Sequence, residues 1–228
     1  MYTFRPWDEP TDAERALGKY TDSIDMALPG NNSESAIYYR SKIKPTPGVY
    51  HADGDKDLMF YVLRRIQQCG LVLEFGTWRA HSINYIAGQC PNRQIHGFDV
   101  FNTDNTSFKD GKDWNGHDFT QAQLPLVKSN VTLHPGWFHL TLPVFVKENN
   151  ESCALLHVDC DNYDGASDVF EWVKLTPGSI VVFDEYLNVP NWKDNEYKAW
   201  QEYCKKNNVR YKYIAVNTKH QQVAVIIT

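Results

Sequence analysis

The sequence predicts an α/β fold built on a doubly wound, mostly parallel sheet of seven strands. Two observations lead to this prediction. From residue 56 onward, short apolar runs typical of buried strands alternate with segments whose apolar residues recur at helical spacing. Such alternation is typical of parallel sheets covered by helices. The last two strand-like runs are separated only by a short polar turn, which predicts a terminal antiparallel hairpin.

The predicted strands are short and rich in apolar residues. The first five are expected to be parallel, because a helical segment separates each from the next in most cases. The last two flank the turn at residues 217–220 and form the hairpin. In chain order the seven strands are predicted at residues 71–75, 94–99, 131–134, 153–159, 179–184, 209–216 and 222–227.

The helices are predicted from apolar residues that lie three or four positions apart. After the first strand, for example, Ile83, Ile86, Ala87 and Cys90 form one apolar face. The polar segment 102–116 is expected to be a loop that is too long for a plain connection. Helices are expected at residues 56–68, 82–90 and 119–128, around 142–146, at 166–173 and at 197–204.

The first part of the chain has a different composition from the rest. Residues 1–50 are rich in Pro, Asp, Ser and Asn, with scattered aromatic residues. We expect residues 1–55 to form an N-terminal arm or lid, and residues 56–228 to form the domain that carries the sheet. A poorly ordered terminus explains this composition equally well.

Composition and charge exclude several classes of protein. The net charge is −5 and the longest basic runs are pairs, so a nucleic-acid partner is not expected. No apolar run approaches about 18 residues and the start of the chain has no apolar signal region, so neither a membrane span nor a signal peptide is expected. Five cysteines without a C-x-x-C pair predict free thiols and a cytoplasmic location. The oligomeric state is left open.

The first candidate site spans residues 74–82, from the end of the first strand to the start of a helix. In open α/β sheets a nucleotide-like ligand binds at such a turn. Gly76 would let the ligand approach the backbone, and Glu74 could accept hydrogen bonds from it. Asp99 ends the second strand, where an acid can hold ribose hydroxyls. A glycine that only ends a strand and an aspartate that only caps a loop are the alternatives.

The second candidate site consists of carboxylates that follow the fourth and fifth strands. Asp159 and Asp161 come after the fourth strand, and Asp184 and Glu185 come after the fifth. Because neighbouring strands lie about 4.8 Å apart, we expect Asp159, Asp184 and Glu185 to converge. Carboxylates repel one another unless a cation or proton lies between them, and three carboxylate oxygens suit Mg²⁺. His157 is predicted to be a hydrogen-bonded strand residue in preference to a site residue.

Aromatic side chains accompany both candidate sites. Trp137 and Phe138 follow the third strand and could flank an adenine ring, with core packing as the alternative. Tyr163, Tyr186 and Trp192 are close in sequence to the carboxylates. They could stack on a sugar face or belong to the rim or the core.

Residues 71 to about 205 resemble the macrocin O-methyltransferase (TylF-type) family of sugar O-methyltransferases. These are class I, Rossmann-like enzymes that use S-adenosylmethionine (SAM) and a metal, and their sheet also ends in an antiparallel hairpin. This chain has Asp184-Glu185 where the family usually has two aspartates. The matching pieces, in order, are E-F-G-T-W-R-A-H-S, G-F-D-V-F, residues 130–143, H-V-D-C-D-N-Y, P-G-S-I-V-V-F-D-E-Y and E-Y-K-A-W.

The resemblance implies a role for each candidate residue. It implies that Asp159, Asp184 and Glu185 ligate Mg²⁺, and that Asp161 is the general base, with Asp159 the second catalytic residue. It also implies that Glu74, Gly76, Ser82 and Asp99 hold SAM. We extend this cofactor site to the residues that adjoin them and to the turn after the third strand: Phe75, Thr77, Val100, Phe101, Gly136, Trp137 and Asp159.

The expected function is Mg²⁺-assisted methyl transfer from SAM to a hydroxyl of a sugar or glycan, for example a deoxyhexose such as rhamnose. A divalent ion can lower the pKa of a coordinated hydroxyl, and a carboxylate can then remove its proton. A catechol-type enzyme that acts on an aromatic diol is the first alternative. A nicotinamide-dependent dehydrogenase is disfavoured because G-x-G-x-x-G is missing, and a carbohydrate-binding module is the third alternative.

Overall fold

A computed structural model of the protein describes residues 25–101 and 123–228. These residues form an α/β structure around one sheet of eight strands. The strands are β1 (Tyr50–Ala52), β2 (Leu71–Phe75), β3 (Ile95–Asp99), β4 (Val131–Pro135), β5 (Cys153–Val158), β6 (Ile180–Phe183), β7 (Tyr211–Asn217) and β8 (Val223–Ile227).

From β1 onward the described helices lie between strands, and five of the six predicted helices are present. A π-helical turn, Tyr39–Ile43, continues the first helix, and a 3₁₀ turn, Trp192–Asp194, precedes the last. The α-helices are α1 (Glu34–Tyr38), α2 (Asp55–Leu63), α3 (His81–Gln89), α4 (Phe138–Glu148), α5 (Tyr163–Trp172) and α6 (Glu196–Asn207).

The strand order is β1-β7-β8-β6-β5-β2-β3-β4. All neighbouring pairs are parallel except β6–β8 and β7–β8, which are antiparallel. The chain runs outward from β2 through β3 to β4, and in the opposite direction from β5 to β6. The sheet therefore has its switch point between β2 and β5, where open α/β sheets bind their ligands.

Both faces of the sheet are covered, as alternate residues of β2 show. Leu73 and Phe75 are buried in one hydrophobic core, and Val72 is buried in another. Successive side chains of a strand point to opposite faces, so these two cores lie on the two sides of the sheet. The switch point is thus held between two packed layers.

The predicted fold class is confirmed, although the sheet has one more strand than the seven expected. The additional strand, β1, is an edge strand that pairs in parallel with β7, with Tyr50 opposite Ala215. It lies within the segment that was predicted as an arm. Residues 25–52 contribute buried side chains to one core, including Met26, Tyr39 and Ile43. Residues 1–24 lie outside the described residues, and a lid function stays a prediction.

The helix predicted at residues 119–128 is wrong over the described part, because residues 123–128 are not helical. The side-chain amide of Asn84 holds this segment instead. Its Nδ2 donates to the carbonyl of Leu126 at 2.9 Å, and its Oδ1 accepts from the amide of Lys128 at 2.8 Å. This tertiary contact replaces the hydrogen bonds that a helix would have supplied. The remainder of that helix and the predicted loop at 102–116 fall outside the described residues.

Two further expectations concern cysteines and membranes. All five cysteines are free, as predicted. Among the described helices, none combines the length and the apolar character needed to cross a bilayer.

Candidate functional site

Backbone hydrogen bonds continue past the ends of the strands and hold the candidate residues at one edge of the sheet. The amide of Gly76 donates to the carbonyl of Phe98, and that of Asp159 donates to Phe75, each at 2.9 Å. The amide of Asp184 donates to Val158, also at 2.9 Å. The ends of β2, β5 and β6 are therefore aligned, and their side chains meet at the switch point.

Gly76 is required for a reason other than the one predicted. Its φ is +94°, a conformation that favours glycine. A Cβ at this position would collide with the backbone carbonyl of Asp159. The glycine thus allows two chain segments of the protein to approach each other, whether or not a ligand also lies close to it.

Glu74 is fully buried and only half satisfied. Its Oε2 lies 3.0 Å from Nδ1 of His157. Within the described part of the chain, Glu74 Oε1 and Thr77 Oγ1 are buried polar atoms without a hydrogen-bond partner. Buried polar atoms normally have partners, so these two suit a ligand that carries ammonium or hydroxyl groups. SAM carries both, and the residues fit it.

Asp99 is fixed by the backbone beside this pocket. Its Oδ2 accepts from the amide of Trp78 at 2.7 Å, and its Oδ1 accepts from the amide of Phe101 at 2.8 Å. Burial raises the pKa of Asp99, and these backbone hydrogen bonds oppose that shift. Each carboxylate oxygen has a second lone pair that can accept from a ribose hydroxyl. The amide of Gly136 donates to the carbonyl of Asp99 at 2.9 Å, which brings the turn after β4 to the same place.

Some of the other predicted cofactor residues are buried, and others are partly exposed. The ring of Phe75 lies in the core and stacks on Phe98 at 4.7 Å, so any contact with a cofactor is left to its backbone. Phe101 and Ser82 are also buried, whereas Val100 is half-buried. Trp137 remains 39% exposed and can present its ring at the edge of the pocket.

The carboxylates after β5 and β6 form two overlapping clusters, each with ligand atoms within 4.8 Å of one another. One consists of His157, Asp159 and Asp184, and the other of Asp159, Asp161 and Glu185. The predicted convergence is therefore present. The structure nevertheless divides the three predicted metal ligands, because Asp184 lies in one cluster and Glu185 in the other, and Asp159 belongs to both.

His157 distinguishes the first cluster from the second. Its Nε2 lies 3.8 Å from Asp184 Oδ1, while its Nδ1 faces Glu74. Burial alone would lower the pKa of His157, but the neighbouring carboxylates of Asp184 and Glu74 outweigh it and hold the pKa well above its ordinary value. Burial would likewise raise the pKa of Asp184, but the bonds with His157 and Gln222 lower it. Asp184 and His157 thus form a partly buried ion pair, with His157 Nε2 and Asp184 Oδ1 3.8 Å apart.

Burial and the repulsion between carboxylates dominate the second cluster. Burial, with the charge of Asp184, holds the pKa of Asp159 well above its ordinary range. Burial, with the charge of Asp161, does the same for Glu185. Among the described residues, Glu185 Oε2 is a buried oxygen without a hydrogen-bond partner. Three close carboxylates and an unpartnered oxygen are a donor set that Mg²⁺ fits.

Asp161 differs from the other carboxylates in its backbone. Its φ is +59°, which is uncommon for a residue with a side chain. It is half-buried, whereas Glu185 is 5% exposed. Residues in such conformations cluster at functional sites, because the surrounding structure must hold them there.

The aromatic residues near the carboxylates are mostly structural. Tyr186 and Trp192 are buried in the core, which excludes them as a stacking surface for a sugar. Tyr163 is half-buried, and its hydroxyl donates to Glu202 Oε2 at 2.6 Å.

Two residues of the site were missed by sequence reasoning. Gln222 Nε2 donates to Asp184 Oδ1 at 3.1 Å, and no local pattern indicates this contact. Glu196 lies completely buried beside the second cluster, and burial raises its pKa to about 8. Its motif, E-Y-K-A-W, contributes only to the family resemblance. An acid in the first turn of a helix is common, so Glu196 by itself does not indicate a site.

Comparisons with known proteins agree with this geometry. The crystal structure of CalS11, a calicheamicin methyltransferase, is 23% identical and covers 74% of this chain and 76% of its own, with a TM-score of 0.57. The apo structure of CalS11, a TDP-rhamnose 3'-O-methyltransferase of calicheamicin biosynthesis, is 24% identical with the same coverage, 74% and 76%, and a TM-score of 0.54. These likenesses show the fold.

Sequence comparison assigns the family. Among curated proteins, none matches this chain significantly. A family model described as macrocin O-methyltransferase (TylF) matches residues 65–221, which is more than half of the chain and includes both candidate sites. The chain therefore belongs to the macrocin O-methyltransferase (TylF) family and is a SAM-dependent methyltransferase.

Proposed function

We propose that this protein transfers a methyl group from SAM to a hydroxyl of a sugar, with a deoxyhexose such as rhamnose as the first candidate, in the synthesis of a glycan or glycoside. The observation that supports this most directly is the cluster of Asp159, Asp161 and Glu185 beside the switch-point pocket. A methyl acceptor with neighbouring hydroxyls can bind there through a divalent cation. The TDP-rhamnose 3'-O-methyltransferase CalS11 shares the fold and acts on such an acceptor.

In this proposal the pocket at β2 and β3 holds SAM. Glu74 Oε1 and Thr77 Oγ1 would satisfy polar groups of the cofactor, and Asp99 would accept the ribose hydroxyls. Trp137 would lie against the adenine ring. Because β5 pairs with β2, this pocket would lie next to Asp159, which follows β5.

Mg²⁺ would be held by Asp159 and Glu185, and the role of Asp184 as a third ligand stays a prediction. Oδ1 of Asp184 already accepts from Gln222 and pairs with His157. Bound Mg²⁺ would supply a positive charge that lowers the pKa of a coordinated hydroxyl.

Asp161 is the proposed general base. It lies in the same cluster as Asp159 and Glu185, and it is only partly buried, so an acceptor can reach it. A carboxylate within hydrogen-bond reach can take the hydroxyl proton as the oxygen attacks the methyl carbon. The remaining contribution of the protein is to hold the acceptor oxygen in line with the methyl group.

We expect methyl transfer to a sugar that carries neighbouring hydroxyls, and we expect chelator to suppress it. The enzyme would be incubated with SAM and a panel of free and nucleotide-linked deoxyhexoses, with catechol as an aromatic control, and products would be detected by mass spectrometry. EDTA should abolish turnover and excess Mg²⁺ should restore it, because the ion polarises the hydroxyl. Transfer to catechol alone would contradict the sugar assignment, and full turnover in EDTA would contradict the metal.

The replacement Glu185→Gln should weaken cation binding about 10- to 100-fold, because it removes the charge of a ligand that is buried and otherwise unpartnered. Mn²⁺ replaces Mg²⁺ as the probe, and its Kd is measured by calorimetry in the presence of S-adenosylhomocysteine (SAH). Glu171→Gln, an exposed site on α5, is the matched control and should leave the Kd unchanged. An unchanged Kd in Glu185→Gln would show that the cation binds elsewhere.

A further inference from the structure

Glu196 is a buried acid that the proposed mechanism does not use. It is the first residue of α6, and its side chain has no exposed surface. Burying a carboxylate is costly unless hydrogen bonds compensate for its lost hydration. The partners of Glu196 therefore indicate why the residue is there.

Both partners of Glu196 are backbone amides of the acid-bearing loops. Its Oε1 accepts from the amide of Cys160 at 3.0 Å, and its Oε2 accepts from the amide of Glu185 at 3.2 Å. Cys160 lies between Asp159 and Asp161 in the chain, and Glu185 directly follows Asp184. One carboxylate thus joins the loop after β5 to the loop after β6.

This arrangement differs from ordinary helix capping. A capping acid accepts from amides in the first turn of its own helix. Both amides that bind Glu196 instead belong to other segments of the chain. The helix itself is anchored, because Trp200 on α6 is completely buried and contacts Phe183 of β6 and Phe170 of α5, at ring distances of 5.4 Å and 5.3 Å. Glu196 therefore projects from a fixed element.

We propose that Glu196 is a positioning residue, which sets the distance between the two carboxylate-bearing loops and thereby the affinity of the Asp159–Asp161–Glu185 cluster for a divalent cation. The inference rests on the proposed cation site. Groups that hold metal ligands in place through hydrogen bonds commonly govern metal affinity without touching the metal. Glu196 would act in this way by binding the amide of Cys160, which lies between two acids of the cluster, and the amide of Glu185.

The variant Glu196→Gln tests this role. Its amide oxygen can still accept one of the two backbone amides, but its NH₂ group is a donor and faces the other. Hydrogen exchange of at least one of the amides of Cys160 and Glu185 should accelerate about tenfold, because that amide loses its hydrogen-bond acceptor. The Kd for Mn²⁺ should rise about 10- to 100-fold. SAH binding should be unchanged, because Glu74 and Asp99 lie on β2 and β3, away from the two loops that Glu196 joins.

Two control variants separate positioning from general stability. Glu202→Gln makes the same replacement on the same helix, at an exposed position where the side chain accepts from the Tyr163 hydroxyl, and it should change neither measurement. Ala199→Gly loosens α6 without touching either loop. If Ala199→Gly weakens Mn²⁺ binding as much as Glu196→Gln does, the role of Glu196 is merely structural and the inference is overturned.

The remaining outcomes also decide the question. Wild-type exchange rates and wild-type Mn²⁺ affinity in Glu196→Gln would overturn the inference. If that variant does not fold, Glu196→Asp keeps the carboxyl group but shortens the reach by one methylene, and it should show the same changes in smaller measure. If the wild-type protein binds no Mn²⁺, the proposed cation site fails by itself, and the inference fails with it, whereas sugar methylation can still be observed in the substrate panel.

Discussion

Replacing Asp161 with asparagine should lower kcat by about 10²- to 10⁴-fold, which is the usual contribution of a general base. Asparagine has the same shape and is among the residues that best tolerate a positive φ, so the backbone at φ +59° should remain as it is. The change removes only the ability to accept the hydroxyl proton. The binding of SAH should be unaffected, because the cofactor pocket is formed by other residues.

The measurement is the pH profile of methyl transfer, with SAH calorimetry beside it. If Asp161 is the base, Asp161→Asn should also lose the acidic limb of the profile of kcat/KM, because that limb reports the base of the free enzyme. Asp164→Asn, three residues further on at an exposed position, should behave as the wild type. Turnover within about twofold of the wild type in Asp161→Asn would place the base on another residue.

The gathering of acids at one edge could be predicted because parallel strands impose it. Asp159 and Asp184 each follow an apolar run, and the carboxyl ends of neighbouring parallel strands lie side by side. The pairing of β5 with β6, which the prediction needed, is present. The apolar pattern of each strand and the adjacency of β5 and β6 were therefore sufficient to predict where these acids lie.

What could not be predicted depends on partners that are distant in sequence. Strand β1 has three residues and owes its conformation to β7, which lies more than half the chain away. Residues 123–128 are not helical, and although Pro125 already disfavours a helix there, the contacts with Asn84 that hold the segment have no local signal. The division of the carboxylates between two clusters follows from His157, whose partners Glu74 and Asp184 come from β2 and from the loop after β6. No periodicity in the sequence encodes such contacts.

Replacing His157 with glutamine should destabilise the protein by about 3–5 kcal/mol, which is the usual cost of breaking a buried ion pair from one side. His157 is 1% exposed and lies between Glu74, which is fully buried, and Asp184, which is 18% exposed. Without the imidazolium, both carboxylates would remain in the interior without a counter-charge. The free energy of unfolding is measured by urea denaturation, with the m-value checked for constancy. SAH should also bind more weakly, because Glu74 loses the partner of its Oε2.

The matched control is His139→Gln, which breaks the same kind of pair at the surface. His139 Nδ1 lies 3.5 Å from Asp168 Oδ2, but the histidine side chain is 56% exposed, so its loss should cost less than about 1 kcal/mol.

The pH dependence gives a second criterion. Because the pKa of His157 is raised in the folded state, its stabilisation is complete below the unfolded value of about 6.5 and is lost only as the pH rises through the folded value. The difference in stability between the wild type and His157→Gln should therefore persist at neutral pH and shrink in alkali. Two results would mean that the buried imidazole is uncharged: equal losses of unfolding free energy in the two variants, or a difference that disappears already below neutral pH. Asp184 would then be available as a metal ligand after all.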